Sequence, residues 1–304
     1  MKSSDVITTI AMATAVSADG KYEEAAQREY LAWLKQHRPD SPELMLLGST
    51  GMGTLFGVRS RCKIVESVIG EFTAPIILNI TARADDDIDE LIAHGNDTVR
   101  DGDTIAIMPD QFYGGIPEEG LYGFLSRCLQ QIRGGIKKGV YNFPQNCSGA
   151  GLTANLVRRL AEAGLLDRIK DSSHQIADMV TIKTEADKHG VEFLSGNDDL
   201  SLSVVQRKLG TRRVTGLSQT ALDLFRRILL DFEPGGDNSA SNEHQSKIIR
   251  LCNLPGELGA QEVSVVHALL SHLCGFPEGR KNAIEPLSEE QKRRAVEVLK
   301  EVTG

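Results

Sequence analysis

The chain has little with which to stack or attract nucleic acid. It holds one tryptophan, five tyrosines and nine phenylalanines in 304 residues, and no run of lysines and arginines interrupts a sequence whose formal net charge is −8. A nucleic-acid partner is therefore not expected, since such partners draw on clustered cations and aromatic platforms. The five cysteines, Cys62, Cys128, Cys147, Cys252 and Cys274, form no Cys-x-x-Cys pair, and their odd number leaves at least one unpaired within the chain. Reduced thiols and a cytoplasmic location are the reading that this spacing supports. The seven histidines are dispersed without metal-ligand spacing, so no metal is expected. No apolar run approaches the roughly 18 residues of a membrane span, and no membrane is expected either. The opening stretch, Met1 to Ala18, ends in small residues as a signal peptide does, but it has a single lysine, an early Asp5 and several threonines. It reads as a first strand.

What the sequence does contain is an alternation. Val6 to Ala15 is rich in β-branched and small residues and reads as a strand; Asp19-Gly20 marks a turn, and Glu23 to Lys35 has helical spacing. Further strands are predicted over 43–47, 75–80, 104–108, 138–143, 166–170, 191–195 and 212–215. Each precedes a helix: 59–72, 86–97, 118–132, 153–163, 176–189, 200–209 and 221–232. Eight strand-then-helix units predict an α/β fold, a parallel (β/α)8 TIM barrel, with an open doubly wound sheet as the alternative. Glu233 to Ser241 has the composition of a link. Helices are predicted after it over 244–253, 261–274 and 288–302, the last opened by a Ser288-Glu-Glu-Gln291 capping box. The expected organisation is a barrel over 1–232 that carries the active site, followed by a helical region over 233–304.

In such barrels the working residues lie at the C-terminal ends of the strands, so polar strand-end residues are the candidates. The sixth strand ends on Lys170, followed by Asp171-Ser-Ser173. Burial disfavours an ammonium, so a lysine at the mouth of an apolar strand is a candidate amine nucleophile for a ketone. The fifth strand offers Tyr141, a candidate for proton transfer, and adjacency of the two strands places it beside Lys170. The second strand runs into Gly48-Ser49-Thr50-Gly51, where a tight turn presents amides and two hydroxyls toward a small anion.

Together, Gly48-Ser-Thr-Gly51, Tyr141-Asn-Phe-Pro144 and Ile169-Lys-Asp-Ser-Ser173 resemble the dihydrodipicolinate synthase / N-acetylneuraminate lyase family of pyruvate-dependent class I aldolases. Glu119-Gly-Leu-Tyr122 and Leu194-Ser-Gly-Asn-Asp198 support the resemblance, which runs over nearly the whole chain. It implies that Lys170 is the Schiff-base lysine, Tyr141 the relay phenol, and Ser49 and Thr50 the residues that handle the relay and the pyruvate carboxylate. It also implies that Tyr113 reaches a neighbouring subunit's site, and that backbone near Thr215 faces the pyruvyl group. A homo-oligomer, tetramer or dimer, follows from the same resemblance, with the covalent imine on Lys170 in place of any cofactor.

Three positions depart from the family pattern. Met52 stands where the family carries glutamate, the loop Asp110 to Gly115 lacks the synthases' paired tyrosines, and Asn146 stands where the synthases carry an arginine. Asn146, Gln111 and Ser148 offer neutral hydrogen-bonding groups where a guanidinium fork would hold a carboxylate. The expected activity is therefore lyase or aldolase chemistry between pyruvate and an aldehyde, on a 2-keto-3-deoxy sugar acid or related hydroxylated 2-keto acid. The alternatives are a dihydrodipicolinate synthase, condensing pyruvate with aspartate semialdehyde, and a non-catalytic barrel that binds a keto acid.

Overall fold

A computed structural model describes residues 8–37, 43–109, 114–199, 212–232 and 236–304. Its strands are β1 (Thr8–Ala11), β2 (Glu43–Leu46), β3 (Ile76–Ile80), β4 (Thr104–Ile107), β5 (Lys137–Asn142), β6 (Arg168–Asp171), β7 (Glu192–Ser195) and β8 (Arg212–Thr215). All pair in parallel, each with its sequence neighbours, and β8 pairs with β1 to close the barrel. β2, β3, β4 and β6 are buried along their whole length. This is why the strands read as apolar runs rather than alternations: in a barrel both faces of a strand are covered.

The helices between strands are α1 (Glu24–His37), α2 (Val58–Glu71), α3 (Asp85–Thr98), α4 (Glu118–Gln130), α5 (Ala154–Glu162), α6 (Ile176–Lys188) and α7 (Leu222–Leu230). Each lies within two residues of its predicted span. The helix predicted over 200–209 and the first residues of the first strand, Val6 and Ile7, lie outside the described residues. β6 starts at Arg168 rather than Leu166, because the preceding residue is tied to the neighbouring strand before the ladder begins. There Asp167 N–H donates to Lys138 O at 2.8 Å, and Lys138 N–H donates to the Asp167 carboxylate at 2.8 Å.

After the link come α8 (Ser239–Cys252), α9 (Leu254–Leu258), α10 (Glu262–Cys274) and α11 (Glu289–Thr303). The capping box on α11 is formed, with Ser288 and Gln291 each bonding the other's backbone. The short α9 was not predicted, since Pro255-Gly256 reads as a breaker. Pro255 stands in its first turn, where the missing N–H is not needed, and Gly259 ends it in the left-handed conformation at φ 60°. These helices pack on one another and on a 3₁₀ turn, Leu217–Ala221, that follows β8. Among the described residues no helix is long and apolar enough to cross a membrane. All five cysteines are free.

Two apolar clusters result. The larger lies between the strands and the surrounding helices. The smaller fills the barrel itself, with Ala11, Met45, Ile77, Ala106, Leu194 and Val214 below Tyr141. At the opposite end from the predicted site, charged residues that begin the strands form a floor. Arg168 donates to Glu43 at 2.6 Å and to Glu192 at 2.5 Å, Arg212 donates to Glu192 at 2.6 Å, and Thr9 donates to Glu43 at 2.7 Å. Burial raises the Glu192 carboxyl, but Arg168 and Arg212 more than offset this and hold it below the usual range.

Candidate active site

Strand alternation decides which side chains enter the barrel. Val140 and Ile169 pack outward into the larger cluster, so Tyr141 and Lys170, the next residues along, face inward. They are register partners on adjacent strands. Lys170 is 6% exposed and Tyr141 is 1% exposed. The Lys170 Nζ stands 3.9 Å from the centroid of the Tyr141 ring, over its face. The Tyr141 hydroxyl turns the other way and meets Ser49 Oγ at 3.3 Å.

The loop that brings Ser49 and Thr50 to this point is held from three sides. Asn79 donates to Leu47 O at 3.0 Å, Thr14 donates to Gly51 O at 2.8 Å, and Met52 N–H turns back to Ser49 O at 3.0 Å. At Gly51 a Cβ would come within 2.9 Å of Met12 O, so the loop can lie this close to β1 only with glycine there. Met52 has left-handed backbone, φ 54°, and its side chain is buried in the larger apolar cluster. A glutamate side chain in that place would bring an unpaired charge into apolar surroundings.

The turn after Lys170 is fixed by Asp171. Its carboxylate accepts from Asn142 at 2.5 Å, from Ser173 N–H at 2.9 Å and from Ser173 Oγ at 2.7 Å. Burial raises this carboxyl even so, against the pull of those donors. Above the lysine, a Cβ on Gly196 would come within 2.7 Å of Lys170 Cε. The glycine that follows β7 thus makes the room that the lysine occupies.

These groups line a cavity of about 200 Å³ that also takes in His174, Asn197, Asp198, Asp199, Cys252 and Glu262. Asp198 is buried and accepts from Thr215 Oγ1 at 2.8 Å and from Ser218 N–H at 3.0 Å. Asp199 pairs with His174 at 3.4 Å and raises the imidazole above its ordinary range. Burial pushes the Cys252 thiol well up, which disfavours its thiolate. Glu262 opens α10; its carboxyl is pushed up to about 7 by the surrounding protein and by Asp198, while Lys170 pulls the other way. It nevertheless reaches solvent through the cavity.

The structure therefore brings Lys170, Tyr141, Ser49 and Thr50 together, and distributes the other sequence candidates more widely. Gly48 lines a neighbouring depression of about 690 Å³ rather than the Lys170 cavity, Asn146 lines both that depression and another of about 480 Å³ that shares Ser49, Thr50 and Phe143 with the Lys170 cavity, and Ser148 is exposed in left-handed backbone with φ 51°. Gly51 packs against the backbone of β1. Thr215 turns its hydroxyl away to Asp198, while Val214 and Gly216 on either side of it line the cavity. Tyr113 and Gln111 lie outside the described residues. Sequence reasoning missed Glu262 and Cys252, which come from the C-terminal helices. A single acidic residue in a first helical turn carries no signal that distinguishes it from an ordinary helix start.

Comparison with known proteins agrees with this fold. The chain is 20% identical over 294 residues to the 4-hydroxy-tetrahydrodipicolinate synthase of Coxiella burnetii, covering 96% of each. Its fold matches the E. coli K12 prophage protein YagE, of the dihydrodipicolinic acid synthase family and solved in complex with pyruvate. That match has a TM-score of 0.82 at 20% identity, covering 98% of both chains. It also matches the Ruminococcus gnavus sialic acid aldolase, with a TM-score of 0.84 at 17% identity over 98% of both chains. A model of the dihydrodipicolinate synthetase family matches residues 2–302. The barrel with its inward-facing lysine and phenol, and a family match that spans nearly every residue, lead to one conclusion: the chain belongs to the dihydrodipicolinate synthetase family, whose members are pyruvate-dependent lyases.

Proposed function

We propose that this chain is a Schiff-base-forming class I aldolase that cleaves or forms a carbon–carbon bond between pyruvate and an aldehyde. Its substrate is a 2-keto-3-deoxy sugar acid or a related hydroxylated 2-keto acid. The observation that carries this reading is the placement of Lys170 Nζ, buried at the base of a cavity against Tyr141, whose hydroxyl meets Ser49. In the cleavage direction the free amine of Lys170 adds to the C2 ketone, and loss of water gives a protonated imine. Breaking C3–C4 sends the bonding pair into that imine and leaves an enamine. The C4 hydroxyl gives up its proton through Tyr141 and Ser49 as the aldehyde forms. A proton is returned to C3, and water then hydrolyses the imine, releasing pyruvate and restoring the amine. Ser49 and Thr50 hold the pyruvate carboxylate. The cycle draws on amine, phenol and water, and the proposal assigns no cofactor.

Asn197, Asp199 and His174 supply hydrogen-bonding groups above Lys170 that suit hydroxyls. The name of the sialic acid aldolase, whose fold this chain shares, points the same way. The synthase reading is favoured by the curated relative, a 4-hydroxy-tetrahydrodipicolinate synthase. A cytoplasmic homo-oligomer, dimer or tetramer, belongs to the same proposal: the five free thiols support the compartment, and sedimentation would test the assembly.

The decisive experiment is borohydride reduction in the presence of pyruvate, followed by peptide mass measurement. Lys170 is expected to carry the reduced pyruvyl adduct, and an unlabelled Lys170 sinks the mechanism. Pyruvate release from a panel of 2-keto-3-deoxy acids, set against condensation with aspartate semialdehyde, separates the two substrate readings.

A further inference from the structure

The cavity around Lys170 opens into an outer depression of about 480 Å³. Four residues line both spaces: Ser49, Thr50, Phe143 and Glu262. They form a neck where the two spaces meet. Three of them come from the barrel's own loops, whereas Glu262 reaches in from the first turn of α10. A Cβ on Gly216 would lie 2.7 Å from Glu262 Oε1 and 2.9 Å from Thr50 Oγ1, so carboxylate and hydroxyl converge on one point above β8.

We infer that Glu262 is a specificity-determining residue, a carboxylate at the neck that accepts hydrogen bonds from hydroxyls of the aldehyde half and turns away aldehydes that carry a carboxylate or phosphate. This rests on the imine reading of Lys170 given above and names the substrate class that the same cavity takes. Hydroxyls donate to a carboxylate and lose little by leaving water, whereas a second anion beside it meets repulsion. The surroundings add to the effect. The groups facing Glu262 are Asp198 and Asp199 after β7, Lys170 on β6, His174 after β6 and Cys252 on α8. Once the imine with a 2-keto acid has formed, the Lys170 charge is shared with the pyruvyl carboxylate, and the outer part of the cavity is left acidic. Because the Glu262 carboxyl is pushed up to about 7, the barrier to anions falls as the pH drops through neutrality.

The test uses borohydride trapping on Lys170 as a binding measurement, with the adduct identified by its mass. Half-saturating concentrations are compared for pyruvate, 2-keto-3-deoxygluconate and its 6-phosphate, in the unmutated protein and in Glu262→Gln and Glu262→Asp. Pyruvate, held by Ser49 and Thr50, calibrates the part that all three acids share, so the effect of Glu262 is read as the ratio of each longer acid to pyruvate within one protein. Glu262→Gln should weaken 2-keto-3-deoxygluconate about tenfold and strengthen the phosphate by a similar factor, the scale of one charge-assisted hydrogen bond lost and one repulsion removed. Glu262→Asp should keep the order of preference of the unmutated protein. In that protein trapping of the phosphate should improve from pH 8 to pH 6 relative to pyruvate, and this trend should be smaller in Glu262→Gln, where only His174 and the phosphate itself still take up protons. Unchanged ratios between the three acids in Glu262→Gln, with pyruvate trapping intact, overturn the inference while leaving the imine reading in place. Absence of any adduct in the unmutated protein overturns the imine reading, and the inference with it.

Discussion

The Lys170 Nζ meets the face of the Tyr141 ring, 3.9 Å from its centroid, rather than the phenol oxygen. The two halves of the tyrosine therefore have separate work. The ring face carries negative potential and lies against the amine on which the proposed mechanism develops the iminium charge. The hydroxyl, turned to Ser49, is left free to carry protons. Tyr141→Phe separates these roles, since it keeps the ring and removes the oxygen. Borohydride trapping of pyruvate on Lys170 should survive, while turnover falls by about 10²–10⁴-fold, the scale of general acid–base catalysis. Loss of trapping in this variant would assign the hydroxyl to imine formation instead.

Ser49 and Tyr141, 3.3 Å apart, act on one proton path in the proposed mechanism. Their substitutions should therefore fail to add. Ser49→Ala in the Tyr141→Phe background is expected to cost less than about a third of what it costs alone, expressed as the logarithm of kcat/KM. Full additivity would mean that the two hydroxyls serve different steps.

Gly196 is where a methyl group would collide first with Ser172 Oγ and then with the Lys170 side chain, at 2.7 Å from Cε. Gly196→Ala should displace the amine and slow trapping by pyruvate at least tenfold, with the thermal midpoint lowered by a few degrees at most because the lysine end can move aside. An alanine variant with the unmutated trapping rate would show that the amine is not held by this wall.

On the barrel floor, Glu43 accepts from Arg168, Arg212 and Thr9 and is only 2% exposed. Glu43→Gln leaves two guanidinium groups short of a counter-charge in a buried place. The expected loss is about 3 kcal/mol in denaturant unfolding, the scale for breaking a buried ion pair from one side. Trapping on Lys170, at the other end of the barrel, should be unaffected in the folded protein.

His267 is buried in α10 with its ring edge-on to Phe276, centroids 5.1 Å apart, and burial pushes its imidazole from 6.5 down to about 4. The unfolded chain takes up a proton there at higher pH than the folded one does. Its contribution to stability is complete above pH 6.5 and declines as the pH falls toward 4. At about 1.4 kcal/mol per pH unit the loss reaches roughly 3 kcal/mol. In His267→Phe the acid limb of the stability curve should be shallower by that amount, read as urea midpoints between pH 4 and pH 7. Parallel curves for the two proteins would place the acid lability elsewhere.

The sequence was sufficient for whatever depends on local order along the chain. Strand-helix alternation gave the barrel, because each element's composition and period are set by neighbouring residues. Inward placement of Lys170 and Tyr141 also followed, because alternation along a strand and adjacency of consecutive parallel strands leave little choice. The motif Gly48-Ser-Thr-Gly51 was legible for the same reason. Local spacing did less well at Gly48, which lines a neighbouring depression instead of the lysine cavity, whereas Asn146 lines the outer depression and the backbone on either side of Thr215 lines the cavity.

What only the tertiary structure decided are the meetings of residues far apart in the chain. Glu43 and Arg168 are separated by 125 residues, and nothing near either one announces the other. Glu262 reaches the neck because α10 packs onto the 3₁₀ turn after β8, a contact set by helix faces that no short motif encodes. Its raised carboxyl is likewise a property of the place rather than of the residue: the protein around it and the nearby Asp198 push it up although the side chain reaches solvent, and both are in place only once the chain has folded.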